Sequence, residues 1–275
     1  MTAASAQTIE IDGRALAWRS LGDGPPLLLV NGYAATGGDW DPQLLQRLAE
    51  TFRVISPDNR GMGRSVLGDP AGLTIDGMAS DLELLLDALE VDRAPVVGWS
   101  MGGFVAQRLA LRAPARVERL VLLSTDPGGA TAVAPEPEAW ARLLDHSGSA
   151  REQATRLISL LFPPALAPAI DEQFGAIVAL ARSGLDPQAL AAQEAAMVAW
   201  HLEEQPRPSD GAAPPALIAH GSEDVVIPPA NAAALAARWP GARVELFGGG
   251  GHAFMAQEPL RLADLIAAFA RGLSA

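Results

Sequence analysis

The sequence predicts an α/β protein. Short apolar runs bounded by turn residues alternate with longer segments of helical period, the pattern of strands joined by crossover helices. The length, 275 residues, with 49% apolar and 19% charged residues, suits one globular core carrying a sizeable insertion. One stretch, 127–212, breaks the alternation and reads as helices alone.

The elements follow in order. Residues 7–12 and 14–20 alternate polar and apolar around Asp12-Gly13, a two-residue turn signal that predicts a hairpin. Leu27-Leu28-Leu29-Val30 is a continuous apolar run, as expected of a strand covered on both faces. Runs at 53–56, 95–98, 117–123, 216–219 and 244–247 predict further strands, completing an eight-stranded, mostly parallel sheet. Helical period covers 42–50, 76–90, 101–113, 229–238 and 258–272. Asp76 stands at the expected N-cap of the second helix, and Pro114 ends the third. Within 127–212, Leu143 and Leu144, then Leu157 to Leu161, then Phe174 to Leu180 recur at helical spacing. Asp126-Pro127-Gly128-Gly129 and 206–211 read as connectors. The expected organisation is a core of 1–126 and 213–275, with a helical cap, 127–212, over one end of the sheet.

Composition removes whole classes of chemistry. There is no Cys, which excludes disulfides, thiolate metal sites and thiol nucleophiles. All 20 cationic residues are Arg, so lysine Schiff bases and the P-loop lysine are excluded. A formal net charge of −12 without a basic tract argues against nucleic-acid binding. No apolar run reaches about 18 residues, and the first residues lack the charged and apolar regions of a signal peptide. The expectation is a cytoplasmic protein acting on a small molecule, with no membrane, nucleic acid, metal or cofactor involved.

The strongest motif is Gly98-Trp99-Ser100-Met101-Gly102, between a buried-strand pattern and a helix pattern. A sharp strand-to-helix turn there exposes the Ser100 hydroxyl, and the small Gly98 and Gly102 let neighbouring backbone pass close by. The helix starting at Met101 aims free N–H groups at the same point. A serine hydroxyl needs a base. Of four histidines, His252 lies in a glycine run, 248–251, just after the last strand pattern, where sites form in open α/β sheets. His146 and His201 fall in the insertion and read as surface or packing residues; His220 ends a strand and reads as structural. Asp224, on the turn after the penultimate strand, is the expected orienting carboxylate, with Glu223 and Asp126 as competitors. Val30-Asn31-Gly32-Tyr33 ends a buried strand, and the backbone N–H groups of Tyr33 and Met101 are the expected oxyanion donors. Trp99, Trp140, Phe162, Trp200 and Phe254 are the expected apolar substrate-binding residues. Met197 is another apolar candidate in the insertion.

The order Ser100, Asp224, His252 resembles the α/β-hydrolase fold superfamily over nearly the whole chain. Residues 57–65 resemble that family's loop after the fourth strand, which implies turn and ion-pair roles for Arg60 and Arg64. The stretch from His220 to Pro228, with Gly251-His252 and Glu258-Pro259, resembles the esterase, enol-lactonase and haloperoxidase-like branches. The family usually carries His where Asn31 stands, so the support of the oxyanion loop must differ here. Serine at the elbow, rather than the Asp of dehalogenases and epoxide hydrolases of this fold, implies acyl transfer. The resemblance thus implies hydrolysis of a small or medium, largely apolar ester or lactone. The alternatives are carbon–carbon bond hydrolysis, lyase or cofactor-free oxidative chemistry with His252 as base, and, further off, a non-catalytic ligand receptor.

Overall fold

A computed structural model describes residues 6–208 and 213–273. Residues 1–5 and the part of the predicted connector at 209–211 lie outside the described residues. The strands are β1 (Gln7–Ile11), β2 (Arg14–Leu21), β3 (Pro26–Val30), β4 (Arg53–Pro57), β5 (Ala94–Trp99), β6 (Val117–Leu123), β7 (Ala216–Gly221) and β8 (Arg243–Phe247). They form one sheet in the order β1-β2-β4-β3-β5-β6-β7-β8. β1 and β2 pair antiparallel, with Ile11 opposite Arg14, across Asp12 (φ 49°) and Gly13 (φ 70°). Positive φ at both turn residues matches the twist of the flanking strands, which is why Asp-Gly works there. From β4 onward every pairing is parallel.

Helices cover both faces. In chain order they are α1 (Pro42–Ala49), α2 (Ile75–Ala88), α3 (Met101–Arg112), α4 (Pro137–Leu143), α5 (Ala150–Leu161), α6 (Ala167–Ser183), α7 (Pro187–Leu202), α8 (Asn231–Arg238), α9 (Phe254–Gln257) and α10 (Pro259–Ala270). Strand alternation sorts the core. Leu28, Val30, Leu120 and Leu122 pack with Leu82 and Leu85 of α2 and Phe104 of α3. Leu27, Leu29, Val121 and Leu123 pack with Leu44 and Leu48 of α1 and Leu262 and Ile266 of α10. Each such side chain, fully removed from water, contributes about 1.5–3 kcal/mol of transfer free energy.

One expectation needs correction. The N-cap of α2 is Thr74, not Asp76: Thr74 is extended, and its hydroxyl accepts the Gly77 N–H at 2.9 Å. Asp76 lies inside the first turn, where its charge suits the helix dipole, and it pairs with Arg108 at 3.3 Å. The last helical pattern, 258–272, is α10; the short α9 precedes it, and Glu258 leaves helical geometry between the two, ahead of Pro259.

Between β6 and β7 the described residues form α4 to α7 and no strand. Ser149 and Glu152 close a reciprocal capping box on α5, and Asp186 caps α7 through the Gln188 N–H. No helix among the described residues is long and apolar enough to cross a membrane.

Candidate active site

Ser100 sits between the last residue of β5 and the first of α3, with φ 55° and ψ −124°. A non-glycine residue held there is strained, and the surroundings over-determine it. Its N–H donates to Leu123 O at 3.0 Å, and Thr125 Oγ1 donates to Ser100 O at 2.8 Å. A Cβ on Gly98 would lie 2.3 Å from Gly102 O, and one on Gly102 would lie 2.2 Å from Val30 O. Backbone on backbone cannot yield as a side chain can. Gly98→Ala is therefore expected to cost about 1–3 kcal/mol or more, read as a lowered thermal midpoint, and to displace the serine.

His252 follows the glycine loop after β8. Gln257, on α9, stitches that loop: its Oε1 accepts the Gly251 N–H at 2.8 Å and its Nε2 donates to Gly249 O at 3.0 Å. Trp99 Nε1 donates to His252 O at 3.0 Å, and the two rings lie 5.5 Å apart. Since Trp99 adjoins Ser100, this bond places the histidine loop beside the elbow. His252 Nδ1 lies 2.8 Å from Asp224 Oδ2. Asp224 Oδ1 accepts the Val226 and Ile227 N–H groups, each at 2.9 Å. Burial alone would raise the Asp224 carboxyl. Attraction to His252 and hydrogen bonds from His220 and His252 outweigh it and hold the group well below the usual carboxylate range. The carboxylate thus accepts a hydrogen bond from Nδ1–H, which leaves His252 Nε2 as the acceptor. His220 is fully buried beneath, with Nε2 2.8 Å from Ile227 O and 3.3 Å from Asp224 Oδ2. Of the competing carboxylates, Glu223 is exposed, and Asp126 is bonded instead to His201 and Trp200.

The loop after β3 lies against the serine: a Cβ on Gly32 would stand 3.1 Å from Ser100 Cβ. Asn31 is buried; its amide donates to Thr36 O, and Asn59 Nδ2 donates to its carbonyl at 2.9 Å. These bonds brace the loop in place of the histidine usual to the family. Among the described residues no protein acceptor takes the N–H of Tyr33 or of Met101. Both are therefore free to face a developing negative charge.

Ser100 and His252 open on a cavity of about 1500 Å³ between the sheet edge and α4–α7. Trp99, Trp140 and Phe162 line it as expected. Trp200 and Phe254 do not. Trp200 is buried, stacked on Phe104 at 5.1 Å, with Nε1 donating to Asp126 Oδ1. Phe254 is buried against Phe247 at 4.5 Å, so its place beside His252 in sequence turns it into the core. Phe174 and Ile177 of α6 line the cavity instead. Arg142, Arg151 and Arg156 are held by Ser159, Asp171 and Asp145. Arg182, which no motif singles out, is the arginine lining the cavity among the described residues.

Residues 25–157 match the family model of the alpha/beta hydrolase fold. A 2-hydroxymuconate semialdehyde hydrolase of Pseudomonas sp. strain CF600 is 31% identical over 90% of this chain and 87% of its own. The chain belongs to the α/β-hydrolase fold family. A hydrolase from Pseudomonas aeruginosa PA01 is similar at TM-score 0.79 and 30% identity, over 98% of this chain and 99% of that one. The enol-lactonase from Burkholderia xenovorans LB400 is similar at TM-score 0.81 and 25% identity, over 96% and 99%.

This α/β hydrolase ties the loop after β3 to α7 through side chains that sequence reasoning missed. Gln193 is fully buried and its Oε1 accepts the Ala34 N–H at 2.9 Å. Tyr33 Oη donates to Glu194 Oε1 at 2.5 Å, and His146 Nε2 reaches the same oxygen at 2.6 Å. A polar pair, Gln193-Glu194, in the middle of an Ala-rich helix was the available signal. Burial, then the hydrogen bond to Glu194 and its charge, push the Tyr33 phenol far up. A raised folded value favours the neutral phenol, so this contribution to stability is full below about pH 10 and is lost as pH rises above it. Tyr33 is the sole tyrosine. An alkaline titration at the tyrosinate absorbance band is expected to show no phenolate in the folded α/β hydrolase until unfolding exposes it.

Proposed function

We propose that this protein is a serine hydrolase cleaving a small to medium, largely apolar carboxylic ester or lactone through an acyl-enzyme. The observation that carries the reading is a histidine fixed by Asp224 that lines the same cavity as the strained Ser100. The enol-lactonase likeness and that to a thermophilic esterase from Thermogutta terrifontis, 26% identical, support it. α4 to α7 act as a cap whose apolar inner wall selects the substrate.

In the first step Ser100 Oγ attacks the carbonyl carbon while His252 Nε2 takes its proton. Asp224 holds the imidazole tautomer and stabilises the cation that forms. The tetrahedral oxyanion rests on the N–H groups of Tyr33 and Met101, each a contribution of about 2.7–4 kcal/mol in comparable sites. His252 then protonates the leaving oxygen. In the second step it deprotonates water, which attacks the acyl carbon and releases Ser100. A fluorophosphonate probe is expected to add once, at Ser100, as read by peptide mass spectrometry. An unlabelled serine in a folded sample refutes the reading.

A second reading has a specific observation behind it, the likeness to the 2-hydroxymuconate semialdehyde hydrolase. The same three residues then serve carbon–carbon bond hydrolysis, with His252 as the essential base. Activity that survives Ser100→Ala but not His252→Ala selects this second chemistry.

A further inference from the structure

The cavity holds a second carboxylate–imidazole pair that the reaction above does not use. Asp126 follows β6, the strand between those that carry Ser100 and Asp224. It is buried, and its Oδ1 accepts the Gly128 N–H at 2.8 Å and the Trp200 Nε1–H at 3.1 Å. Its Oδ2 lies 3.0 Å from His201 Nε2. A carboxylate oxygen beside two satisfied donors can only accept, so the proton of the neutral His201 ring sits on Nε2. Nδ1 then carries the lone pair.

The ring is held as firmly as a designed binding group requires. Phe104 and Trp140 meet it edge-on, at 5.6 Å and 80° and at 5.8 Å and 83°. Its side chain is 31% exposed, and both His201 and Asp126 line the cavity. A histidine kept only for packing needs neither a buried carboxylate to fix its tautomer nor an opening on the cavity. Phe104 stands four residues beyond Ser100 on α3, so the His201 ring packs against a side chain of the turn that follows the elbow.

We propose that Asp126 and His201 form a polar subsite that accepts a hydrogen bond from a hydroxyl group of the substrate, in the cavity onto which Ser100 also opens. The inference rests on the serine-hydrolase reading for its reaction, and it names the substrate class: a hydroxylated ester or lactone with an otherwise apolar body. His201 is a positioning residue fixed by Asp126. The Nδ1 acceptor selects a donor, because a substrate that lacks one leaves the lone pair without a partner in the complex.

The test compares matched p-nitrophenyl esters of hexanoic and 6-hydroxyhexanoic acid, and matched acetates of hexanol and 1,6-hexanediol. The wild type is expected to prefer the hydroxylated member of at least one pair by about ten-fold in kcat/KM, carried by KM. In His201→Phe that ratio falls to about one, whatever the absolute rate. In His201→Asn, where Oδ1 stands in place of Nδ1, part of the ratio returns. Equal ratios in wild type and His201→Phe for both pairs overturn the proposal, as does a preference for an acid at that end. Equilibrium binding of the matched methyl ketones separates the two readings. A hydroxyl preference there that His201→Phe removes upholds the subsite even if Ser100→Ala retains turnover and the acyl-enzyme reading fails.

Discussion

Ser100→Ala is expected to lower kcat by about a million-fold toward any ester the protein turns over, with KM little changed. The variant folds, because the constraint on the elbow is made by Gly98, Gly102 and the backbone of Leu123 rather than by the hydroxyl. Thermal unfolding within a few degrees of wild type checks that. His252→Ala is expected to lose a similar factor, and the double variant no more than either alone, since the two groups act as a unit. Residual activity above about a thousandth of wild type in Ser100→Ala removes the serine from covalent catalysis.

Asp224→Asn is expected to lower kcat by about ten-thousand-fold while leaving the cavity intact. The asparagine carbonyl still accepts the Val226 and Ile227 N–H groups, so its amide turns toward His252. Facing a donor, His252 moves its proton to Nε2 and can no longer take one from Ser100. The same variant has a pH signature. Asp224 has a lowered folded value, so its contribution to stability is present above about pH 4 and is lost as pH falls below that toward the folded value. Thermal midpoints measured between about pH 3 and pH 7 are expected to fall less steeply in Asp224→Asn than in wild type.

The sheet was legible because its strands are read by local rules. The run at 27–30 is buried on both faces, and Asp12-Gly13 admits only a narrow turn. Ser100, Asp224 and His252 were legible because each stands at a strand end with small or turn-forming neighbours. What the sequence concealed is which way a side chain turns once its segment is placed. Phe254 beside His252 faces the core, and Trp200 beside His201 does too, while His201 itself lines the cavity. Neighbours on a helix point about 100° apart, so adjacency to a motif carries no information about sharing its cavity. The bonds from Gln193 and Glu194 to the loop at 33–34 join positions some 160 apart, and no pattern within either segment announces them.

The carbonyl of Leu161 accepts the Ala253 N–H at 3.0 Å, and a Cβ on Gly251 would press within 2.5 Å of the same oxygen. The end of α5 is therefore bolted to the loop that carries the imidazole. That helix cannot swing outward without pulling His252 off its carboxylate. Leu185 and Asp186, where α6 turns into α7, also line the cavity, and among the described residues no backbone bond ties them to that loop.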